Sequence, residues 1–427
     1  MRRDLKKAYI SDVSNVTKIN FDPFHSNESS GVASKNIALK KSIVNKIDQN
    51  RHCTITELSK ELTISIPKTT DLINDLVETG LLVEQGKLDS TGGRKASAFG
   101  LNADACHFIG VAIGRFHIEF GVMDLNKGMK MPIEQKEYRF ENTPDTISNL
   151  VKEIKNFLEK IKEENLRIVG LGISFPGRTN TKIGKPLTLT GRPLTFFNFL
   201  DESLSDVLQK EIDIPVFIEN DSRAMVLAEM NIPDSLKEKN ILFINVDYGI
   251  GIGIVIDGKT YYGKSGYGGE IGHSPFFDNE IICTCGKKGC LETEASGFAL
   301  KRKFTDKIKS GHTSSALQQK SIDEIKLSDI IQAVKNEDML AIELLAEVGE
   351  KLGKGLAVLI NIFNPESLIL GGALAETGDY LRLPAKNALN KLSTPLVNND
   401  TNLRLSNLGG HASVMGACLI ARNRIIF

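Results

Sequence analysis

The sequence predicts an α/β protein whose two lobes flank a cleft, with a small domain of three helices and a β-hairpin in front. Residues 35–104 contain three short stretches of helical apolar spacing and then two apolar stretches around a glycine-rich polar segment. From His107 onward, apolar strands alternate with helical stretches, and a strand pair opens each half. The 427 residues are also too many for one ordinary core and suit two or three domains.

Composition is that of a globular protein, with 41% hydrophobic and 25% charged residues. The formal net charge is zero, so binding to nucleic acid would depend on a local patch. The first residues, MRRDLKK, are not followed by an apolar segment, and no apolar run reaches the roughly 18 residues of a membrane helix. We therefore expect a cytoplasmic protein that has no membrane partner.

The front domain is predicted to begin at Lys35, after a polar, irregular arm over residues 1–34 that could contact DNA or another subunit. A first helix is indicated by one apolar stripe, formed by Ile37, Ile43, Val44 and Ile47. Thr54 or Thr56 can cap a second helix that carries Leu58 and Leu62.

The third helix is predicted to start near Pro67, which is tolerated in a first helical turn. Its buried stripe consists of Leu72, Ile73, Leu76 and Val77. Gly80 would end it in the left-handed conformation, and residues 81–83 and 96–99 would then pair as a hairpin.

Three short helices and a hairpin in about 70 residues are typical of a winged helix-turn-helix. The alternative is a small helical domain that binds protein. For DNA, the candidates to reach base edges are Lys68, Thr70 and Asn74 on the third helix, and Arg94 would enter the minor groove from a Gly-Gly-Arg turn. Residues 1–104 hold only a small basic excess, so affinity would depend on placed charges such as Lys40, Lys41, Lys68, Arg94 and Lys95.

The body is predicted to consist of a first lobe over residues 105–230 and a second lobe over residues 231–412. Strands are expected at 108–114, 118–123, 167–175, 216–218, 241–246, 253–256 and 367–370, and long helices near 146–164 and 338–363. Ligands of such sheets lie beyond the carboxyl ends of the strands.

One thiol cluster predicts a metal site. Cys283, Cys285 and Cys290 lie close together in sequence after His273, whereas the other three cysteines are isolated. Three thiolates and one imidazole complete a tetrahedral zinc shell, which leaves no open position and makes the zinc structural. The alternative is three buried, inert cysteines.

Polar residues around this motif suit a neutral polyhydroxylated ligand. Asn220 and Asp221 follow a strand, although they could equally form the N-cap of the next helix. Glu270 precedes His273 by three residues, and Glu292 follows the last cysteine by two. The alternating glycines from Gly249 to Gly253 could cradle phosphate or simply allow close strand packing.

These residues together resemble the ROK family of bacterial sugar kinases and sugar-responsive repressors. The resemblance covers about residues 105–427, and the preceding winged helix matches the repressor branch of xylose, N-acetylglucosamine and glucose repressors. It implies a two-lobed actin-like (ribonuclease H-like) sugar-kinase fold in which the last helix, from about Ser413, returns to the first lobe. It also implies sugar contacts from Gly177, Asn220, Asp221, Glu270, His273 and Glu292, and zinc ligation by His273, Cys283, Cys285 and Cys290.

The phosphate loops depart from the kinase pattern. Where family kinases have Asp-x-Gly-Gly-Thr, this chain has Ala112-Ile-Gly-Arg115-Phe116, and Asp247-Tyr248-Gly249 replaces Gly-Thr-Gly. Phe116 and Tyr248 add bulk, and Asp247 adds repulsive charge. We therefore expect no enzyme activity, with Asp221, the base of family kinases, kept as a hydrogen-bond acceptor.

The sequence thus predicts a transcriptional regulator, in the simplest case a repressor of carbohydrate-utilisation genes that a monosaccharide or derivative releases from operator DNA. Paired half-sites would require a homodimer or a dimer of dimers. The first alternative is an active ATP-dependent sugar kinase with an added DNA-binding domain, supported by Asp221 and Gly371-Gly372. The second is a regulator controlled by a protein partner, with a vestigial sugar site.

Overall fold

The computed structural model describes Phe24 and residues 31–88, 96–139, 141, 143–180, 185–186, 202–317 and 320–427. These residues form a helix-and-hairpin domain followed by two α/β lobes, which confirms the predicted fold class. None of the described helices combines the length and the apolar character that crossing a bilayer needs.

The front domain has the predicted order of three helices and a hairpin. Its elements are α1 (Gly31–Asn50), β1 (His52–Thr54), α2 (Ile55–Glu61), α3 (Ile66–Glu78), β2 (Leu82–Leu88) and β3 (Ala96–Leu101). The strand order is β1-β3-β2, with both pairs antiparallel. Thr54 caps α2 through a capping box with Glu57, and Gly80 has a φ of +76° at the end of α3.

The first helix begins at Gly31, four residues before the predicted start. The apolar stripe gave no signal over these residues, yet Ala33 is buried and extends the packed face of α1. The same face includes Lys40, which is only 5% exposed and lies 3.2 Å from the carboxylate of Asp75 on α3. The proposed use of Lys40 as a DNA contact is therefore wrong, because helical spacing places it on the packed side of α1.

The first lobe is built on a mixed five-stranded sheet of order β10-β7-β4-β5-β6. Its elements are β4 (His107–Ile113), β5 (His117–Asp124), β6 (Glu134–Glu137), α4 (Pro144–Ile161), β7 (Ile168–Phe175), the short ribbon strands β8 (Thr179–Asn180) and β9 (Lys185–Pro186), α5 (Leu204–Ile212), β10 (Val216–Asn220) and α6 (Asp221–Glu229). Helices α4 and α5 cover one face of this sheet with an apolar core.

The second lobe repeats the pattern with a sheet of order β13-β12-β11-β14-β15. Its elements are β11 (Ile241–Val246), β12 (Ile250–Ile256), β13 (Lys259–Thr260), α7 (Glu292–Ala295), α8 (Gly297–Lys309), α9 (Leu327–Lys335), α10 (Met339–Phe363), β14 (Ser367–Gly371), α11 (Asp379–Leu392), α12 (Pro395–Asp400) and β15 (Asn402–Leu405). In each lobe an antiparallel hairpin leads into parallel strands, which brings strand ends of both sheets to one cleft.

The last helix, α13 (Ala412–Ile426), returns to the first lobe as expected. It lies directly on the sheet because two strand glycines leave room for its backbone. A Cβ at Gly172 would lie 1.9 Å from the carbonyl oxygen of Ala417, and one at Gly110 would lie 2.3 Å from that of Val414. Gly416 gives the same closeness to α6, whose Ala224 carbonyl would lie 1.9 Å from an added Cβ.

The front domain and the first lobe share one apolar core. Ile43, Val44 and Ile47 of α1 pack in the same cluster as Phe108 of β4 and Ile426 of α13. The guanidinium of Arg422, which is fully buried, joins the two units by pairing with Asp48 of α1 and donating to the carbonyl of Leu125 at 2.8 Å. The front domain, the candidate for DNA binding, is thus packed against the first lobe and α13.

Candidate functional site

The predicted metal ligands converge in the loop between β13 and α7. The Nδ1 of His273 lies 3.4 Å from the Sγ of Cys283, and the Sγ atoms of Cys285 and Cys290 are 3.6 Å apart. All four ligand atoms fall within 4.8 Å of one another. A tetrahedral zinc with bonds of about 2.3 Å to sulfur separates its ligands by about 3.8 Å, so the residues fit such an ion. This cluster could hold a metal such as zinc.

Two glycines give this loop its tight backbone. Gly286 has a φ of +86° and Gly289 a φ of +70°, which is the left-handed region. The amide of Gly286 donates to the carbonyl of Cys283 at 2.8 Å, and the amide of Cys283 donates to that of Lys287 at 2.8 Å. A Cβ at position 289 would lie 1.9 Å from the carbonyl oxygen of Phe277. The cysteines are therefore placed by a turn that other residues would strain.

The metal loop also orients two carboxylates. While its Nδ1 faces the thiols, the Nε2 of His273 lies 3.8 Å from Oε2 of Glu270. Glu292 accepts the amide of Ile250 on β12 at 3.1 Å and the hydroxyl of Thr284 at 3.2 Å. Metal binding would thus fix both carboxylates relative to the second sheet.

Asn220 and Asp221 lie where β10 meets α6. The side-chain oxygen of Asn220 accepts the amide of Arg223 at 3.2 Å, so the N-cap interpretation holds for this residue. Its amide nitrogen donates to the carbonyl of Gly177 at 2.9 Å and to Asp221 at 2.8 Å. Gly177, with a φ of +98°, therefore presents its backbone carbonyl to Asn220, and its backbone contact with a sugar stays a prediction.

Burial raises the pKa of Asp221 from 3.8 to about 6, and the charge of Asp247 adds to this, against hydrogen bonds from Ser222. Asn245 donates to the second oxygen of Asp221 at 3.3 Å, while its own Oδ1 is buried without a hydrogen-bond partner among the described residues. Asn245 was missed because nothing in its sequence neighbourhood indicates contact with the first lobe.

The raised pKa predicts a cost of ionising Asp221 in the folded protein. The folded state binds this proton more tightly than the unfolded state, so the group stabilises the fold below about pH 4 and loses that contribution as pH rises through about 6. At 1.36 kcal/mol per pKa unit, and discounting for partial exposure, Asp221→Asn should raise the unfolding free energy at pH 7.5 by about 1–2 kcal/mol. Urea unfolding at pH 7.5 and 4.5 tests this, since the gain at the lower pH should fall to about a third of its value at pH 7.5.

The two loops that depart from the sequence pattern of family kinases meet across the cleft. The guanidinium of Arg115, on the β4–β5 turn, lies 4.0 Å from the ring centroid of Tyr248 on the β11–β12 turn. The carboxylate of Asp247 accepts the amide of Tyr248 at 2.6 Å, and burial raises its pKa. Phe116 is 54% exposed. A cation–π contact therefore occupies the gap between these two loops.

A second contact across the cleft could not be predicted from the sequence either. Arg178, directly after Gly177, donates to Glu270 with a distance of 2.6 Å between Nη2 and Oε2. The two residues are 92 positions apart and belong to different lobes, so no spacing rule connects them.

The side chains on α3 that were predicted to contact DNA differ in their exposure and hydrogen bonding. Asn74 is exposed and Lys68 is half-buried, whereas the hydroxyl of Thr70 donates to the carbonyl of Ile66 at 2.9 Å. Asp71 and Glu78 are also exposed on this helix, which weakens its positive field. Lys41 donates to the carbonyl of Phe427 at 3.4 Å and so contacts the body. Arg94 and Lys95 lie outside the described residues.

The fold and this site define a two-lobed α/β protein of the sugar-kinase architecture with an N-terminal helix-and-hairpin domain. The ROK family model matches residues 108–424, and the chain belongs to the ROK family. It is 29% identical over 381 residues to the xylose repressor of Caldicellulosiruptor bescii, covering 88% of this chain and 92% of that repressor. It is 26% identical over 382 residues to the DNA-binding transcriptional dual regulator NagC of Escherichia coli, covering 89% and 91%.

Two solved structures, one of a regulator and one of a kinase, match different shares of this chain. A ROK family transcriptional regulator, homologous to the MLC protein of Escherichia coli, superposes with a TM-score of 0.76 and 27% identity over 92% of this chain and 97% of its own. The ROK glucokinase of Streptomyces griseus, solved with glucose and AMPPNP, superposes with a TM-score of 0.65 and 26% identity. That match covers 99% of the glucokinase but 74% of this chain. The similarity to regulators thus extends over more of the chain than the similarity to the kinase.

Proposed function

We propose that this protein is a transcriptional regulator whose affinity for operator DNA is controlled by a monosaccharide or derivative in the interlobe cleft. The observation that carries the proposal is the shared core between a winged helix-turn-helix and a body with a polar cleft. Its relatives include a xylose repressor and NagC, which favours a repressor of carbohydrate-utilisation genes.

The ligand would be held by polar groups from both lobes. Asn220, Asp221 and the backbone of Gly177 lie on the first lobe. Glu270 and His273 belong to the loop that the metal would order, and Glu292 begins α7 and accepts the Thr284 hydroxyl of that loop. With four protein ligands, a zinc in this loop has no position left for substrate, so its role is structural.

Control of DNA binding follows from the packing of α1 on α13. The cleft residues Asn220 and Asp221 begin α6, α6 packs on α13 at Gly416, and α13 carries Arg422 to Asp48 in the winged helix. A ligand that shifts the lobes would therefore shift the population of winged-helix orientations. Two half-sites on DNA require a homodimer or a dimer of dimers.

The test combines ligand screening with operator binding. A thermal-shift screen with xylose, glucose, N-acetylglucosamine and their phosphates should identify a ligand, which at 100 times its Kd adds about 2.7 kcal/mol of stability. That ligand should weaken the gel shift that the protein gives with its operator DNA. Lys68→Ala and Arg94→Ala should weaken the shift at fixed salt while leaving ligand affinity within about twofold. If neither change alters the midpoint, the winged helix is not the DNA reader.

We also infer that the protein does not transfer phosphate. Phosphoryl transfer needs loops that hold the γ-phosphate and its metal in line with the hydroxyl. Here Ala112 replaces the acidic residue, and Arg115 stacks on Tyr248 between the two loops. A coupled ADP-release assay with the identified sugar should give no signal above background. Turnover in the ordinary kinase range of roughly 1–100 per second would establish the alternative, a kinase with an added DNA-binding domain.

A further inference from the structure

One ion pair crosses the cleft at the proposed ligand site. Arg178 lies on the loop that follows β7 in the first lobe, and Glu270 lies three residues before His273 in the metal loop of the second. Their 2.6 Å contact is partly shielded from water, since the side chains are 18% and 36% exposed. Such a charge-assisted hydrogen bond is stronger than one between neutral groups.

The pair uses the oxygen that a ligand would need. Oε2 of Glu270 accepts Arg178 and is also the carboxylate oxygen that lies 3.8 Å from the free ring nitrogen of His273. A hydroxyl group that contacts Nε2 of His273 and the nearer oxygen of Glu270 together would approach Oε2, which already accepts the guanidinium. The geometry therefore sets ligand and Arg178 in competition for one acceptor.

The charges around the cleft indicate whether the ligand that competes with Arg178 is neutral or acidic. Asp221, Glu270 and Glu292 are acidic, and Arg178 is matched to one of them. An acidic ligand would be repelled by the remaining carboxylates, whereas a neutral polyhydroxylated ligand has donors for each of them.

We propose that Arg178 is an internal competitor of a neutral sugar: its guanidinium occupies Glu270 in the free protein, and the sugar must displace it. This inference rests on the proposed function. The ion pair would lower sugar affinity and thereby set the sugar concentration at which the regulator responds. The contact of Arg115 with Tyr248 joins the lobes elsewhere and need not break.

The test is calorimetric titration of the full-length protein with the neutral sugars glucose, xylose and N-acetylglucosamine, and with glucuronate and glucose 6-phosphate as acidic ligands. Arg178→Ala should bind the sugar that wild type binds about tenfold more tightly, because the sugar no longer breaks a partly buried ion pair. Arg178→Lys, which keeps the charge but loses the planar fork, should fall in between. Arg115→Ala is the matched control, since it removes another cation from the cleft without freeing Glu270, and should change the affinity by less than about twofold.

Each outcome decides the matter. Unchanged or weaker sugar binding by Arg178→Ala overturns the competition, and weaker binding would make Arg178 a ligand contact instead. If glucuronate or a sugar phosphate binds wild type best and is lost in Arg178→Ala, the neutral ligand class is wrong. If wild type and both Arg178 variants bind none of the sugars offered, the proposed function itself fails. Melting temperatures of the variants near that of wild type would confirm that they fold.

Discussion

Replacing Cys285 with serine should release the metal and abolish sugar binding. From Gly263 to Cys290 the chain has almost no regular secondary structure, and only a short helical turn at Ile271–His273 interrupts it. The backbone hydrogen bonds within this segment belong to single turns and isolated bridges and not to a helix or sheet, so we expect the metal to supply much of its order. Glu270 and His273 lie inside this segment, and Glu292 is tied to Thr284 within it. Loss of one ligand should therefore displace half of the polar groups in the cleft.

The measurements are metal content and ligand affinity on the same preparations. Wild type should contain about one zinc per chain and Cys285→Ser almost none, with sugar affinity falling by more than about 100-fold, in line with the strength of structural zinc sites. Cys53→Ala is the control, since this buried thiol lies in the front domain and should leave both quantities unchanged. A metal-free protein that keeps its full sugar response would contradict the proposed role of the metal loop.

Local chemistry explains which features were predictable from the sequence. The helix cap, expected at Thr54 or Thr56 and found at Thr54, depends on residues within a few positions. The same holds for the left-handed Gly80, for Pro67 in the first turn of α3 and for the metal ligands. The hairpin opening each lobe was also visible, because its strands are adjacent in sequence and strongly apolar.

Contacts between residues that are distant in sequence were not predicted. Arg178 meets Glu270, and Arg115 meets Tyr248, only because the two sheets face each other across the cleft. Lys40 was expected to contribute charge for DNA binding, but α3 packs against its face of α1 and places Asp75 beside it. In each case a charged side chain found its partner through tertiary packing, which neither periodicity nor spacing encodes.

The junction between winged helix and body provides the second large effect. Arg422 is fully buried, and its positive charge is balanced by Asp48, which also lies 3.0 Å from the Nζ of Lys127. Asp48→Asn removes that balance and leaves a buried guanidinium without a counter-charge. Breaking one side of a buried pair costs about 3–5 kcal/mol, so the urea midpoint should fall markedly.

Two variants separate this effect from simple loss of contacts. Glu61→Gln breaks the ion pair between Glu61 and Lys46, whose side chains are 42% and 36% exposed, respectively. Because this pair is solvated, its loss should lower the unfolding free energy by less than about 1 kcal/mol. The double variant Asp48→Leu with Arg422→Met should recover part of the stability, because Arg422 is no longer a buried charge without its partner, although Lys127 still loses Asp48. If Asp48→Asn costs no more than Glu61→Gln, the pair does not hold the winged helix on the body. In that case the route from α6 through α13 to the front domain must depend on the apolar core around Ile43 and Ile426.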